Sequence, residues 1–246
     1  MRAAVYADLP SARRAAAHRR AAEVLDREPA GADRAAVHLL SSEPAGDSWV
    51  VERLHAAAER ALARGASDAA LGLLERARRE PSDDPRVLRA LGRAERLAGD
   101  PERAIAHLRE ALDATPEPAA REAIARELAT ALAFDGHVEA ALGVLEQALA
   151  AVPPSEPERR LRLEADFIVG MAHDDAVAAT LSRAAELAET LEGSTPAERV
   201  LLGAAALQRA RTASGTAARR RRWRSAHGPA GACCASTRRT ASPTAA

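Results

Sequence analysis

The 246-residue chain contains no lysine and no asparagine, and all 35 of its basic residues are arginine. The missing lysine excludes a phosphate-binding loop of the G-x-x-x-x-G-K-S/T type, because that lysine contacts the nucleotide phosphates. It also excludes a catalytic lysine, whether as a Schiff base or as a general base. Enzyme classes that depend on either device are therefore ruled out for this sequence.

Aromatic residues make up only 2% of the sequence, and few segments alternate polar with apolar residues. Both observations argue against a β-sheet and against a core of large rings. The two cysteines, Cys233 and Cys234, are neighbours in the chain, a spacing that rarely forms a structural disulfide. No apolar run approaches the ~18 residues of a membrane span, and the N-terminus lacks the apolar stretch of a signal peptide. We therefore expect an all-α, cytoplasmic protein.

Charged residues are unevenly distributed, although 35 acidic residues balance the 35 arginines. No acid follows Glu198, whereas residues 209–246 contain nine of the arginines. Residues 1–208 therefore carry 26 arginines against 35 acids, a formal charge of −9. Residues 209–246 also lack Leu, Ile, Val, Met, Phe and Tyr, so they cannot form a core. We expect residues 214–246 to be disordered.

This arginine-rich tail has two interpretations. Its guanidiniums would bind nucleic-acid phosphates, in which case binding should weaken with salt and disappear when residues 209–246 are deleted. Alternatively, the tail is the product of a frameshift in a GC-rich gene, because out-of-frame GC-rich codons give mostly Arg, Ala, Gly, Pro, Ser and Thr. We favour the frameshift, since core-forming residues disappear abruptly inside a helical pattern near Gln208.

One sequence pattern occurs three times in the middle of the chain. GDPERAIAHLREALDATP at residues 99–116 is followed 37 residues later by GHVEAALGVLEQALAAVP at residues 136–153. A weaker copy begins 34 residues before the first, at Gly65. Each copy is preceded by another helical segment. The unit is therefore a helix, a tight turn with glycine, a second helix, and then a proline or a polar break.

A period of about 34 residues with this anatomy indicates tetratricopeptide-type (TPR) repeats. The best copy fits that motif at seven positions, namely Leu88, Leu91, Gly92, Ala104, Leu108, Ala111 and Pro116. Glu95 stands where the motif usually has tyrosine. By the same pattern the core contains Leu88, Leu91, Leu108, Leu128, Leu145 and Leu149. Because one helix pair cannot bury its apolar face alone, we predict a right-handed α-superhelix of stacked antiparallel helix pairs, a TPR-like solenoid.

Residues 5–77 resemble the region that follows the ATPase core in large ATP-binding LuxR-type transcriptional regulators. The similar pieces are AVYADLP, AAAHRRAAEVL, AAVHLL, EPAGDSWVVE and ALARGASDAALGLLERA. In that family a P-loop ATPase of the signal-transducing type leads through a helical linker into TPR repeats, and a C-terminal helix-turn-helix binds DNA. The resemblance implies that residues 1–45 are the helical linker and residues 46–213 are the repeat array, followed by the tail of residues 214–246.

The family's ATPase motifs would lie upstream of Met1, and no helix-turn-helix pattern occurs downstream. We therefore expect a fragment truncated at both ends, which neither binds ATP directly nor contacts DNA through a missing helix-turn-helix. For the array itself, the resemblance implies effector sensing, or control of the ATPase, through a protein or peptide partner. The alternatives are a stand-alone TPR scaffold and a nucleic-acid binder that uses its basic tail.

Four arginines form the candidate partner-binding groove, and at ~100° per residue they lie within one stripe of about 80° on a helix. They are Arg86, Arg89, Arg93 and Arg96. In TPR domains this face of the first helix lines the concave groove, where guanidiniums would grip acidic groups by bidentate hydrogen bonds. The alternative is a solvated face that is partly neutralised by Glu95 and by acids of neighbouring helices.

We expect no catalytic, cofactor-binding or metal-binding residues. The histidines do not form an H-x-x-x-H or H-E-x-x-H spacing, and His173 with the two following aspartates is interpreted as a helix start. Glu186 and Glu189 have the spacing of a helix surface, and no Gly-x-Ser-x-Gly elbow occurs. Because no general acid or base is recognisable beside a positioned partner, the sequence predicts a non-enzymatic interaction module.

Overall fold

The computed structural model describes residues 9–81, 84–170, 185–186, 188–206, 209–210 and 213, and for residues 166–170 it describes the backbone only. The regular secondary structure of these residues is α-helical, with no strand. The chain divides into two units, Met1–Met171 and Ala172–Ala246. The all-α prediction is therefore confirmed. The predicted tail of residues 214–246 and the predicted helix start at His173 lie outside the described residues.

The helices of the first unit follow one another with short connections. They are α1 (Ser11–Leu25), α2 (Ala32–Leu39), α3 (Ser48–Ala63), α4 (Ser67–Arg78), α5 (Pro85–Ala98), α6 (Pro101–Ala114), α7 (Pro118–Phe134), α8 (Val138–Ala151) and α9 (Pro157–Gly170). Each helix packs against the next one in sequence. In addition, α3 packs against α5, α5 against α7, and α7 against α9, so these four, here called the A helices, lie side by side. This is the arrangement of a helical repeat solenoid built from antiparallel pairs.

The turns inside the three predicted repeats have one common conformation. Gly65, Gly99 and Gly136 have positive φ angles of 75°, 86° and 80°. In the turn after α5, Gly99 N–H donates to the Arg96 carbonyl and Asp100 N–H donates to the Glu95 carbonyl, and the other two turns repeat this pair of bonds. This is the Schellman ending of a helix, which requires a left-handed residue just past the last turn. The repeated glycines therefore mark the turns that reverse the chain.

The helix starts follow equally local rules. Asp84 accepts a hydrogen bond from Arg86 N–H, and Asp100 accepts one from Arg103 N–H, while a proline occupies the first helical position in each case. These carboxylates satisfy backbone donors that have no partner inside the helix. The start of α7 uses Glu117 in the same way, and these backbone hydrogen bonds lower the pKa of its carboxyl group. Asp84, Asp100 and Glu117 therefore act as the N-caps of α5, α6 and α7.

The buried apolar residues of the first unit form two clusters. One extends from α1 to α5 and the other from α5 to α9. Five of the six predicted core leucines are buried, and Leu149 is partly buried against the second cluster. Between α5 and α6 the backbones approach closely at Gly92, where an added Cβ would lie 2.5 Å from Leu108 Cγ and 3.0 Å from the Ala104 carbonyl oxygen. The small residues Gly92 and Ala104 thus permit this close approach of the two helices.

A buried ion pair ties the loop before α3 to the end of α4. Arg76 Nη1 donates to Glu80 Oε1 at 2.9 Å, and both side chains are almost fully buried. Glu80 Oε2 accepts from the backbone N–H groups of Ala45 and Gly46 at 2.8 and 2.7 Å, and Arg76 also donates to the carbonyl and hydroxyl of Ser42. The loop that joins the two N-terminal helices to α3 is therefore held by side chains of the first repeat. The sequence pattern gave no sign of this pair.

Burial raises the pKa of Glu80, but the hydrogen bonds from Ala45, Arg76 and Gly46 outweigh this effect. The pKa of the carboxyl group consequently lies below its ordinary value. The carboxylate form of Glu80 is therefore the one that the folded protein stabilises.

The second unit is described mainly over residues 188–206, which include a helix at 196–206. Thr195 caps the start of this helix. Glu198 N–H donates to Thr195 Oγ1 at 3.2 Å, and the Glu198 carboxylate accepts from the backbone N–H of Ser194 at 2.6 Å. Ala197, Leu201 and Ala205 form its buried side.

Candidate functional site

The predicted arginine stripe lies on α5, on the side that faces the neighbouring A helices. Arg86, Arg89 and Arg93 each bind a carboxylate of an adjacent A helix. Arg96 has no ion-pair partner among the described residues. The structure thus places the four predicted residues on one face. Three of their guanidiniums are neutralised by carboxylates, and that of Arg96 has no carboxylate partner among the described residues. We call this surface, together with its carboxylates, the A-helix face.

The ion pairs of this face have good geometry and point in both directions along the stack. Arg86 Nη2 lies 3.1 Å from Glu52 of α3, and Arg93 Nη1 donates to both carboxylate oxygens of Glu59 at 2.9 and 3.0 Å. In the other direction, Arg89 donates to both oxygens of Glu127 of α7, with Nε at 2.9 Å and Nη2 at 2.6 Å. 

The series of cross-helix pairs continues beyond α5. The same type of contact joins Arg159 of α9 to Glu122 of α7. In these pairs α3 and α7 supply the carboxylates, and α5 and α9 supply the guanidiniums.

The repeat period accounts for two of the three ion pairs of α5, those of Arg86 and Arg93. Glu52 and Glu59 lie 34 residues before Arg86 and Arg93, so each pair joins equivalent positions of consecutive A helices. For Arg96 the equivalent position in α3 is Leu62 and the one in α7 is Ala133, and neither offers a carboxylate. The signal for these pairs was present in the sequence as acids and bases one repeat apart.

Partner exchange on this face is chemically possible because the pairs are only partly buried. The exposed fractions of Arg89 and Glu127 are 34% and 25%, and those of Arg93 and Glu59 are 33% and 37%. The hydrogen bonds to Glu127 raise the pKa of Arg89, so this guanidinium remains charged. Exposed ion pairs of this kind contribute only about 0–1 kcal/mol each. Only this small contribution would be lost if another carboxylate took the place of the internal one.

The expectation that Glu95 neutralises the arginine stripe was wrong. Glu95 is fully buried on the opposite side of α5, where its Oε2 lies 2.7 Å from His107 Nδ1 of α6. Arg78 Nη1 lies 2.6 Å from His107 Nε2, and Arg103 Nη2 lies 3.1 Å from Glu95 Oε1. His107 therefore contacts a guanidinium through Nε2 and a carboxylate through Nδ1. A polar network thus replaces the tyrosine that the repeat motif usually has.

A second concave feature lies between α7 and the start of α9. It is an open cleft of about 500 Å³, lined by Glu122, Arg126, Arg159, Arg162 and residues 155–158. Its acids and bases are equal in number, and Arg159 is held by Glu122 and Glu156. The cleft therefore offers no excess charge toward a ligand.

The structure brings one pair of histidines together. His18 Nδ1 of α1 lies 2.9 Å from His38 Nδ1 of α2. Within the part of the chain that the structure describes, no three His, Cys, Asp or Glu side chains are grouped so that they could hold a metal ion. None of the helices in that part has both the length and the hydrophobicity needed to cross a membrane.

A comparison with known families finds a match in the middle of the first unit. The model of the tetratricopeptide repeat matches residues 85–126, which comprise α5, α6 and the first half of α7. The match supports a TPR region. No curated protein and no solved structure matches the chain. The TPR fold is typical of non-catalytic proteins that bind other proteins or peptides, and the arginine stripe lies within the matched repeat.

Proposed function

We propose that the chain is the protein-interaction and effector-sensing region of a LuxR-type, ATP-dependent transcriptional regulator. The resemblance of residues 5–77 to the segment between the ATPase and the repeats of that family supports this assignment. The matched TPR repeat supports a binding role for the array. In this proposal the region binds a protein or peptide and does no chemistry of its own.

The observation that carries the binding role is the set of guanidiniums on α5. Arg86, Arg89, Arg93 and Arg96 face the same side of the stack, and the first three already bind carboxylates in this structure. These arginines are thus positioned for bidentate contact with a carboxylate, the geometry in which a planar guanidinium binds an acidic side chain. We propose an acidic segment of the partner as the group that replaces Glu59 and Glu127.

Removing an internal carboxylate and removing an arginine should change the affinity for an acidic peptide in opposite directions. We expect Glu127→Gln to raise the affinity for a fluorescein-labelled hexaglutamate peptide several-fold, because Arg89 is then released from its internal partner. We expect Arg89→Gln to lower that affinity about tenfold, which corresponds to 1.4 kcal/mol. Fluorescence anisotropy at low salt measures both affinities.

A matched control comes from the opposite side of the same repeat. Arg109 of α6 is exposed, and Arg109→Gln removes the same charge without touching the A-helix face. If Arg89→Gln and Arg109→Gln lowered the affinity equally, the peptide would be responding only to the net charge of the protein, and the proposed groove would be contradicted.

The regulator assignment has its own test at the level of the gene. We expect the DNA upstream of this reading frame to encode P-loop ATPase sequence, and we expect the alternative frame after codon 215 to resume leucine-rich helices and reach a helix-turn-helix. Unrelated sequence on both sides would instead favour the stand-alone scaffold.

A further inference from the structure

One end of the A-helix face differs from the rest in being apolar. Leu97 lies two residues before Gly99, and Phe134 lies two residues before Gly136, so the two side chains occupy the same repeat position in α5 and α7. Leu97 is 53% exposed and Phe134 is 78% exposed. Single exposed apolar residues are common, but two at one repeat position on adjacent helices form a local patch.

Both side chains belong to the A-helix face and not to the core. Leu97 follows Arg93 by four residues, and Phe134 follows Thr130 by four, so each lies on the same helix side as its predecessor. Because α5 packs against α7, the two apolar groups lie at equivalent positions of adjacent helices. We call Arg96, Leu97 and Phe134 the turn-end patch.

Arg96 supplies the charge of this patch. It lies in the last turn of α5, where a cation interacts favourably with the partial negative charge of the helix terminus. The equivalent positions of α3 and α7, Leu62 and Ala133, carry no acid. Arg96 forms no ion pair with any of the described residues. The other arginines of the stripe are neutralised, which makes Arg96 the one whose guanidinium gains a first carboxylate when a partner binds.

The acids nearest in sequence do not serve Arg96. Glu95 is buried against His107, and Asp100 caps α6 by accepting from Arg103 N–H. Asp135, which follows Phe134, lies 3.2 Å from His137 Nδ1. The patch therefore presents an unpaired cation beside two exposed apolar groups.

We propose that the turn-end patch anchors a partner segment in which a large apolar side chain lies next to a carboxylate. The apolar group packs between Leu97 and Phe134, and the carboxylate binds the Arg96 guanidinium. This proposal rests on the proposed protein-interaction function. It specifies the place on the array at which the partner segment is anchored. Charge complementarity favours a segment that contains a carboxylate, because a basic or purely apolar segment would cover Arg96 without giving its guanidinium a partner.

Selection of a random dodecapeptide library on the immobilised full chain tests the proposal. We expect the enriched peptides to share an aromatic or aliphatic residue adjacent to Asp or Glu. Arg96→Glu and Phe134→Ser should each weaken a selected peptide at least tenfold by fluorescence anisotropy. Arg109→Glu on α6 and Val37→Ser on α2 alter an exposed cation and an exposed apolar side chain elsewhere, and they should change the affinity less than twofold.

Three results would overturn the proposal. These are a basic consensus, selected peptides that bind the patch variants as well as the unchanged protein, or no enrichment at all. The alternative occupant of the patch is a second copy of the chain, and sedimentation velocity tests for it. A dimer that dissociates when Phe134→Ser is introduced would show that a second copy fills the patch. Hexaglutamate binding through Arg89 is measured on the same variants, so a failure confined to the patch is distinguished from a failure of the whole interaction surface.

Discussion

Replacing Glu80 by alanine is expected to lower the free energy of unfolding by about 3–5 kcal/mol, the range seen when one member of a buried ion pair is removed. The reason is that Arg76 would remain buried with its charge, while its carboxylate partner at 2.9 Å is gone. The backbone N–H groups of Ala45 and Gly46 would lose their acceptor as well. Such unsatisfied buried donors each cost about 1–3 kcal/mol.

The measurement is urea unfolding followed by circular dichroism at pH 7, with Glu75→Ala as the matched control. Glu75 lies on α4, one turn and a half before Glu80, but its ion pair with Arg103 is half exposed at 3.4 Å. We expect this control to change the stability by less than about 0.5 kcal/mol, as is usual for exposed pairs. Equal effects of the two substitutions would mean that the buried pair does not hold the N-terminal loop.

The same pair makes a pH-dependent contribution. Because the pKa of Glu80 is lowered in the folded protein, its contribution is complete above the ordinary glutamate pKa of about 4.3 and is lost as the pH falls through the folded value. The stability difference between the unchanged protein and Glu80→Gln should therefore be constant near neutral pH and shrink in acid. A difference that grows below pH 4 would contradict the lowered pKa.

Replacing Gly92 by alanine is expected to lower the free energy of unfolding by about 1–3 kcal/mol, which is typical of overpacking a close contact. An added Cβ would lie 2.5 Å from Leu108 Cγ and 3.0 Å from the Ala104 carbonyl oxygen, so α5 and α6 must separate to admit it. This loss exceeds the gain of about 1 kcal/mol that alanine normally gives over glycine inside a helix. Because α5 also carries the arginine stripe, we expect weaker peptide binding in parallel.

Gly72 provides the matched control for this substitution. It lies inside α4, and an added Cβ at that position would meet no atom within 4 Å. We therefore expect Gly72→Ala to stabilise the protein by about 0.5–1 kcal/mol, opposite in sign to Gly92→Ala. Thermal unfolding of the two variants side by side measures both signs. Stabilisation by both would show that α5 and α6 do not depend on a glycine contact.

The repeat architecture could be predicted from the sequence because its determinants are local. Gly99 ends α5 through its own left-handed backbone, and Asp100 with Pro101 starts α6. Leu108 and Ala104 recur at the spacing of one helix face, so their burial follows from the helix period. Each of these signals acts within one turn of a helix, and none needs a distant part of the chain.

The charged contacts of the site could be predicted only in part. The positions of Arg86, Arg89 and Arg93 on one face followed from the helix period, but their partners lie on other helices. Glu52 and Glu59 were recognisable as acids one repeat earlier, whereas Glu127 departs from the repeat register. Glu95 was misplaced because a buried carboxylate is stable only with partners such as His107, which the helix pattern of α5 cannot reveal.

Sequence alone thus determined where helices begin, end and turn, and which of their faces are apolar, since capping, glycine turns and hydrophobic periodicity are short-range effects. Only the tertiary structure decided which charges are neutralised, because ion pairs depend on distances between side chains that lie about 34 residues apart in the chain. It also decided that Arg96 has no carboxylate partner among the described residues, whereas Arg76 is buried and paired with Glu80.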